Sequence, residues 1–233
     1  MKTLILSDIH SNIYALEAIW AREQDCDLVC CVGDLVDYGP YPKEVIAWVQ
    51  SHDVLCVRGN HDLWVCMNYR RGHFMENMPV TERGWVNHNA SLLAEADILY
   101  LEQLPETMML TLDGRHYAMT HLYQEYEEIV SLHQYAQLRQ ERFADAPYTR
   151  LILGHTHRQA VRYLSDDVLW LNPGSASYRR RDDPDQTAHY ATIVDGRISL
   201  HRLDYDRSPL YQAVQSLAIN DLEKQSGLRF FQP

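Results

Sequence analysis

The chain has 233 residues, 46% hydrophobic and 10% aromatic, enough for a substantial core in a single domain spanning 1–233 and fitting a soluble globular protein. Its formal net charge of −11 has the wrong sign for a protein that neutralises duplex phosphates, although local cations can still attract a small anion. No apolar run is long enough to span a bilayer and no tripartite signal follows Met1-Lys2, so a cytoplasmic protein is expected.

Thr3–Leu6 is apolar without alternation and predicts a strand buried on both faces. Asn12 suits the N-cap of a helix whose apolar positions are Ile13, Leu16, Ile19 and Trp20. Leu28–Val32 predicts a second strand. Pro42 opens a helix carrying Val45, Ile46 and Val49, and Val54–Val57 predicts a third strand. This β-α-β-α-β order implies a parallel sheet with right-handed crossovers. Leu63–Leu104 is richer in Met, Asn and Arg. It reads as a helical, cap-like insertion (63–104) suited to walling a substrate site. Thr107–Leu112 and Tyr117–Thr120 flank an Asp113-Gly114 hairpin signal, and a helix is predicted over Ser131–Phe143. Further strands are predicted at Leu151–Leu153, Ala160–Leu164, Val168–Leu171, Tyr190–Val194 and Ile198–Leu203, with Asp195-Gly196 as a second hairpin turn. From Pro209 onward one final helix is expected. The predicted fold class is α/β: a two-sheet sandwich flanked by helices. The five cysteines (Cys26, Cys30, Cys31, Cys56 and Cys66) form no C-x-x-C pair and read as reduced thiols, mostly buried.

Ligand-type side chains fall where these strands end. The first strand closes in Ser7-Asp8-Ile9-His10, the second in Gly33-Asp34-Leu35-Val36-Asp37, and the third in Gly59-Asn60-His61-Asp62. Later strands close in Thr120-His121 and Gly154-His155-Thr156-His157. Sites in α/β sheets lie outside the carboxyl ends of strands, so five strands deliver carboxylate, imidazole and amide groups to one edge. Asp, His and Asn make a mixed O/N donor set without thiolate, suited to manganese, iron, zinc or similar divalent ions. Each motif alone has an ordinary reading, such as an N-cap, an Asx turn or a surface loop. Their joint occurrence, each at a strand end, is what argues for a metal site.

These motifs resemble the calcineurin-like metallophosphoesterase superfamily. SDIHSN, GDLVDYGP, GNHD, GHTH and NPGS are similar to its small bacterial and archaeal branch, which includes phosphodiesterases and diadenosine tetraphosphate hydrolases. The resemblance implies a phosphoesterase acting on phosphate mono- or diesters, with nucleotides and dinucleoside polyphosphates among the substrates. It implies two divalent ions, manganese first, with iron, zinc, nickel or cobalt as alternatives. Asp8, His10 and His157 would hold one ion, Asn60, His121 and His155 the other, and Asp34 would bridge them. His61 would act near the leaving group, oriented by Asp37. The chain departs from the branch at Leu122 and Asp37, where relatives often carry glycine.

Arg180 and Tyr38 are candidate substrate contacts. The ordinary reading of Arg179-Arg180-Arg181 is a solvated loop facing Asp182, Asp183 and Asp185, and that of Tyr38 is packing. Trp64, Tyr69, Arg70, Arg71, His73 and His88 could stack on or bond to a base, or simply pack. The expected partner is a small phosphorylated molecule, with neither membrane nor duplex nucleic acid. A binding scaffold on the same fold, as in the retromer subunit, is the rival. The complete ligand set and His61 weigh against it. The sequence says nothing of oligomeric state.

Overall fold

The computed structural model of the chain describes residues 1–124, 128–143, 148–177, 180 and 182–233. In chain order the first half comprises β1 (Lys2–Leu6), α1 (Ile13–Glu23), β2 (Leu28–Cys31), α2 (Pro42–Ser51), β3 (Leu55–Cys56), α3 (Asn60–Arg70), α4 (Trp85–Leu92) and α5 (Glu95–Gln103). The second half comprises β4 (Thr107–Leu112), β5 (Arg115–Thr120), α6 (Leu132–Phe143), β6 (Arg150–Ile152), β7 (Gln159–Tyr163), β8 (Leu169–Pro173), β9 (Ala188–Val194), β10 (Arg197–Leu203), α7 (Ser208–Ser216) and α8 (Asp221–Phe230). They build two mixed five-stranded sheets, ordered β10-β9-β1-β2-β3 and β4-β5-β6-β8-β7. The predicted α/β sandwich is therefore the observed one.

The sandwich follows from side-chain alternation along strands. Successive residues of a strand point to opposite faces. Ile5 joins Cys30, Met119, Ile152 and Ile193 in the layer between the sheets. Leu4 and Leu6 pack outward with Leu16, Ile19, Val45 and Ile46, from α1 and α2. The outer face of the second sheet meets α6 through Ala118, Leu151, Trp170, Leu138 and Phe143. A strand covered on both faces has no polar side to show, which is why β1 and β2 read as unbroken apolar runs.

Local signals set the element ends. The Asn12 side chain accepts from the Ala15 N–H at 3.0 Å and caps α1. Both hairpins turn on paired left-handed residues, Asp113 (φ 49°) with Gly114 (73°) and Asp195 (51°) with Gly196 (78°), the conformation that short hairpin loops require. Two expectations need correction. The terminal helix is two helices, because the Asn220 side chain accepts from the Glu223 N–H at 3.0 Å and starts α8 afresh. Helix α3 starts at Asn60, so the GNHD motif forms its first turn and the 63 boundary falls inside a helix. No helix among the described residues is long and apolar enough to cross a membrane. All five cysteines are free, and all but Cys26 are buried.

Candidate metal centre

The loops that follow β1 and β2 stay paired beyond the sheet. The Asp8 N–H donates to the Gly33 carbonyl at 3.0 Å, His10 N–H to Asp34 O at 3.0 Å and Ser11 N–H to Leu35 O at 2.9 Å. Within this framework seven candidate residues take left-handed backbone conformations: Asp8 (φ 52°), His10 (48°), Asp34 (54°), Asp37 (75°), Tyr38 (55°), His155 (66°) and His157 (59°). That region costs an L-residue about 1–2 kcal/mol, and Asp and His are among the side chains that tolerate it best. Such strain persists only where the surroundings over-determine it, and it clusters at functional sites. Gly33, at φ 90°, has a second constraint: a Cβ there would stand 2.7 Å from Gly59 N and 2.8 Å from His121 Nδ1. Only glycine lets the β2 and β3 loops approach this closely.

Two groups of ligand atoms result. Asp8, His10 and His157 each offer an atom within 4.8 Å of the others, and so do Asp34, His121 and His155. In the first group His10 Nε2 and His157 Nε2 lie 3.2 Å apart, with Asp8 Oδ1 3.2 Å from the latter. In the second, Asn60 Oδ1 lies 3.0 Å from both His121 Nε2 and His155 Nδ1. Asp34 Oδ2 stands between the groups, 3.1 Å from His121 Nε2 and 3.9 Å from His10 Nε2. The structure thus brings together all seven residues expected to be ligands: Asp8, His10, Asp34, Asn60, His121, His155 and His157.

A cation suits this arrangement electrically. Asp34 Oδ2 is buried and accepts no hydrogen bond, an expensive state for a carboxylate oxygen unless positive charge faces it. Burial works against ionisation of Asp8 and Asp34, but His157 and His121 respectively outweigh it and hold both acids below their usual range. Burial also resists charge on His121, yet Asp34 raises that imidazole to about 10. Burial pushes His10 down to about 3 and His155 down to about 4, so both present neutral rings, the form that binds metal. His121 Nδ1 lies 2.6 Å from the Val32 carbonyl. Donation there fixes the tautomer with Nε2 facing the centre.

Beside the ligands lies the pair of His61 and Asp37 that the resemblance implies. His61 Nδ1 is 2.7 Å from Asp37 Oδ2. Burial lowers the His61 imidazole, but Asp34 and the bond to Asp37 overcome this and raise it. Tyr38 packs on the His61 ring at 4.5 Å and on His10 at 5.1 Å. Trp64 lies 4.5 Å from His61 as well. Arg180 bonds to Asp182, Nε to Oδ1 at 3.3 Å, the kind of pairing that the ordinary reading of this stretch expects. Arg179 and Arg181 lie outside the described residues. Arg70 on α3 pairs with Glu95 and Glu102 on α5, and Tyr69 packs on Phe74 just beyond the end of α3.

Two organising residues had no assigned role from sequence. Asp62 is buried and accepts four backbone N–H groups: Leu35 at 2.8 Å and Val36 at 3.2 Å on Oδ1, Gly59 at 2.8 Å and Asp34 at 3.0 Å on Oδ2. Burial and the Asp34 charge push it up to about 6, while Gly59 and Val36 N–H pull it down. It clasps the β2 loop to the start of α3. Asn89, fully buried on α4, does the same for residues 37–39. Its Oδ1 accepts from Asp37 N–H (2.9 Å) and Ser11 Oγ–H (2.6 Å), and its Nδ2 donates to Gly39 O (3.0 Å) and Trp85 O (3.2 Å). The fourth position of GNHD was available as a signal for Asp62. Nothing local marks Asn89.

Known proteins resemble this chain over nearly its whole length. An uncharacterized protein of Methanocaldococcus jannaschii is 26% identical over 247 residues, covering 97% of this chain and 96% of that protein. The crystal structure of a metallophosphoesterase from Sphaerobacter thermophilus is 25% identical, with 98% of each chain covered and a TM-score of 0.75. That of a hypothetical protein from Pyrococcus horikoshii OT3 shares the fold, at 15% identity, 96% coverage of each chain and a TM-score of 0.76. Residues 1–196 match the calcineurin-like phosphoesterase superfamily domain, and the chain belongs to that superfamily.

Proposed function

We propose that this protein is a cytoplasmic hydrolase of phosphate mono- or diesters that works with two divalent metal ions, manganese foremost. Asp8, His10 and His157 would hold the first, Asn60, His121 and His155 the second, and Asp34 would serve both. The observation that carries this reading is Asp34 Oδ2, buried, accepting no hydrogen bond and flanked by ring nitrogens from both groups. The donor set of carboxylate, imidazole and amide suits manganese and its neighbours better than soft, thiolate-seeking metals.

When bound, such a metal pair supplies Lewis acidity toward phosphoryl oxygens and lowers the pKa of water to about 7. The protein's own groups do the rest. Ser7 Oγ–H (2.5 Å) and the His155 N–H (3.2 Å) donate to Asp8 and fix its carboxylate plane. The Nδ1–H of His61 donates to Asp37, which fixes the ring and keeps the raised imidazole protonated. Its Nε2–H is then the proton available to a departing alkoxide. Tyr38 and Trp64 flank that ring and limit access of water to it.

The test is a screen of the metal-reconstituted protein against monoesters, diesters, dinucleoside polyphosphates and phosphopeptides, with metal content measured in the same samples. Hydrolysis of at least one class, dependent on added metal, is expected. A preparation that holds two metals per chain and cleaves none of them would return the scaffold reading to first place.

A further inference from the structure

Helix α3 is apolar on a face that the fold leaves uncovered. His61, Asp62, Val65 and Cys66 turn inward and are buried. The outward positions of the same two turns carry Leu63, Trp64 and Met67, exposed at 40%, 46% and 39%. A surface helix places polar residues there, and clustered exposed apolar side chains beside a site mark a binding surface. The location is informative. The Trp64 ring stands 4.5 Å from His61, the side chain that addresses the leaving group in the proposed reaction. Leu63 lines a cavity of about 500 Å³ whose wall also includes the candidate ligands Asn60 and His121. That volume is in the range that holds a small-molecule ligand.

From this geometry we infer that Trp64, supported by Leu63 and Met67, is a stacking platform for a flat aromatic ring carried by the leaving group. The protein then prefers aryl-type phosphoesters over alkyl ones. This inference rests on the proposed phosphoesterase function. A ring on the leaving group would reach α3 because the oxygen it departs with faces His61, and Trp64 is the exposed ring in contact with His61. Three side chains are too few for a stable protein interface, which buries roughly 1,200–2,000 Å² in total. They suffice for one ring.

The test compares phenyl phosphate with methyl phosphate as substrates of the metal-loaded full chain, in the wild type, Trp64→Phe and Trp64→Leu. Comparing the ratio of kcat/KM values between variants cancels the intrinsic reactivity of the two esters. Stacking on an aromatic side chain is worth about 1–3 kcal/mol, so Trp64→Leu, which keeps the apolar bulk, lowers the phenyl-to-methyl ratio by roughly tenfold, and Trp64→Phe keeps most of it. A ratio unchanged in Trp64→Leu overturns the platform. Equilibrium binding of phenylphosphonate and methylphosphonate, which are not esters, separates the two levels of the argument. A phenyl preference that Trp64→Leu abolishes supports the subsite. Equal binding of both phosphonates by the wild type overturns the subsite and leaves the phosphoesterase intact. Failure of the metal-loaded wild type to cleave or bind any of the four compounds overturns the subsite, and the phosphoesterase reading falls with it only when the broader substrate screen also shows no hydrolysis. A change of oligomeric state in Trp64→Leu with no change in the ratio assigns the patch to self-association instead.

Discussion

Replacing Asn89 by alanine tests how the Asp37 segment is held. The substitution removes four hydrogen bonds at a fully buried position. The Trp85 carbonyl is the least affected, because it sits in the body of α4. The Asp37 N–H, the Ser11 hydroxyl and the Gly39 carbonyl are left in the interior without this partner. Each buried group so orphaned costs about 1–3 kcal/mol, and the hydroxyl recovers part by rotating. A net loss near 3 kcal/mol follows, with a fall in Tm of roughly 6–12 °C for a chain of this size. Asp37 and Tyr38 both sit at positive φ, 75° and 55°, so freeing the segment lets them relax and withdraws the carboxylate from His61. Urea denaturation gives the stability change. Turnover on esters of good and poor leaving groups gives the functional one, with the poor leaving group hit harder. A variant within about 0.5 kcal/mol of wild type, a size ordinary for harmless surface changes, would show that Asn89 does not hold the loop.

Three further outcomes are expected. Asp34→Asn lowers the occupancy of both metals, because one side chain serves both groups, whereas His157→Ala lowers mainly the first; two metals retained per chain in Asp34→Asn, by elemental analysis, would remove the bridging role. Asp37→Asn and His61→Ala reduce turnover more on alkyl than on nitrophenyl esters, and equal losses would count against a proton donor at His61. Glu23 is pushed up by burial but held below its usual range by Lys2 Nζ at 2.8 Å and Tyr190 Oη–H at 2.6 Å. A carboxylate lowered in the folded state stabilises it above its unfolded pKa, about 4.3, and loses that effect as pH falls through the folded value. Wild type is therefore more stable than Glu23→Gln at pH 7, the gap closing below about pH 4 as both folded and unfolded carboxyls protonate; a gap of constant size in denaturation series across that range would contradict the assignment.

The site was legible in the sequence to the extent that local patterns carry it. Asp8, Asp34 and Asn60 come just after strands of the first sheet, and His121 and His155 just after strands of the second, so the motifs marked the strand ends, while the packing of one sheet on the other brings the two sets together. The Asp113-Gly114 and Asp195-Gly196 turns were legible for a similar reason, since the dipeptide itself supplies the left-handed pair. Asn89 was not legible. Its partners lie 78 residues away at Ser11, 52 at Asp37 and 50 at Gly39, and in its own helix it looks like any polar residue. The terminal region was misread because the pattern beyond Pro209 continues across Asn220, and only the cap geometry shows that a second helix begins. For Arg180 the sequence offered a substrate contact beside an ordinary pairing with Asp182, Asp183 or Asp185, and the structure has its Nε 3.3 Å from Asp182 Oδ1.

The left-handed residues around the centre have an implication for anyone seeking a hardier version of this protein. Glycine adopts that conformation with no steric penalty, so exchanging His155 or His157 for glycine relieves backbone tension while destroying the donor. Heat resistance and metal capture pull against each other at these positions, as in other proteins whose working parts are locally unfavourable. A selection scheme that rewards only survival at high temperature would drift toward inert chains, and each round needs a companion screen for bound metal.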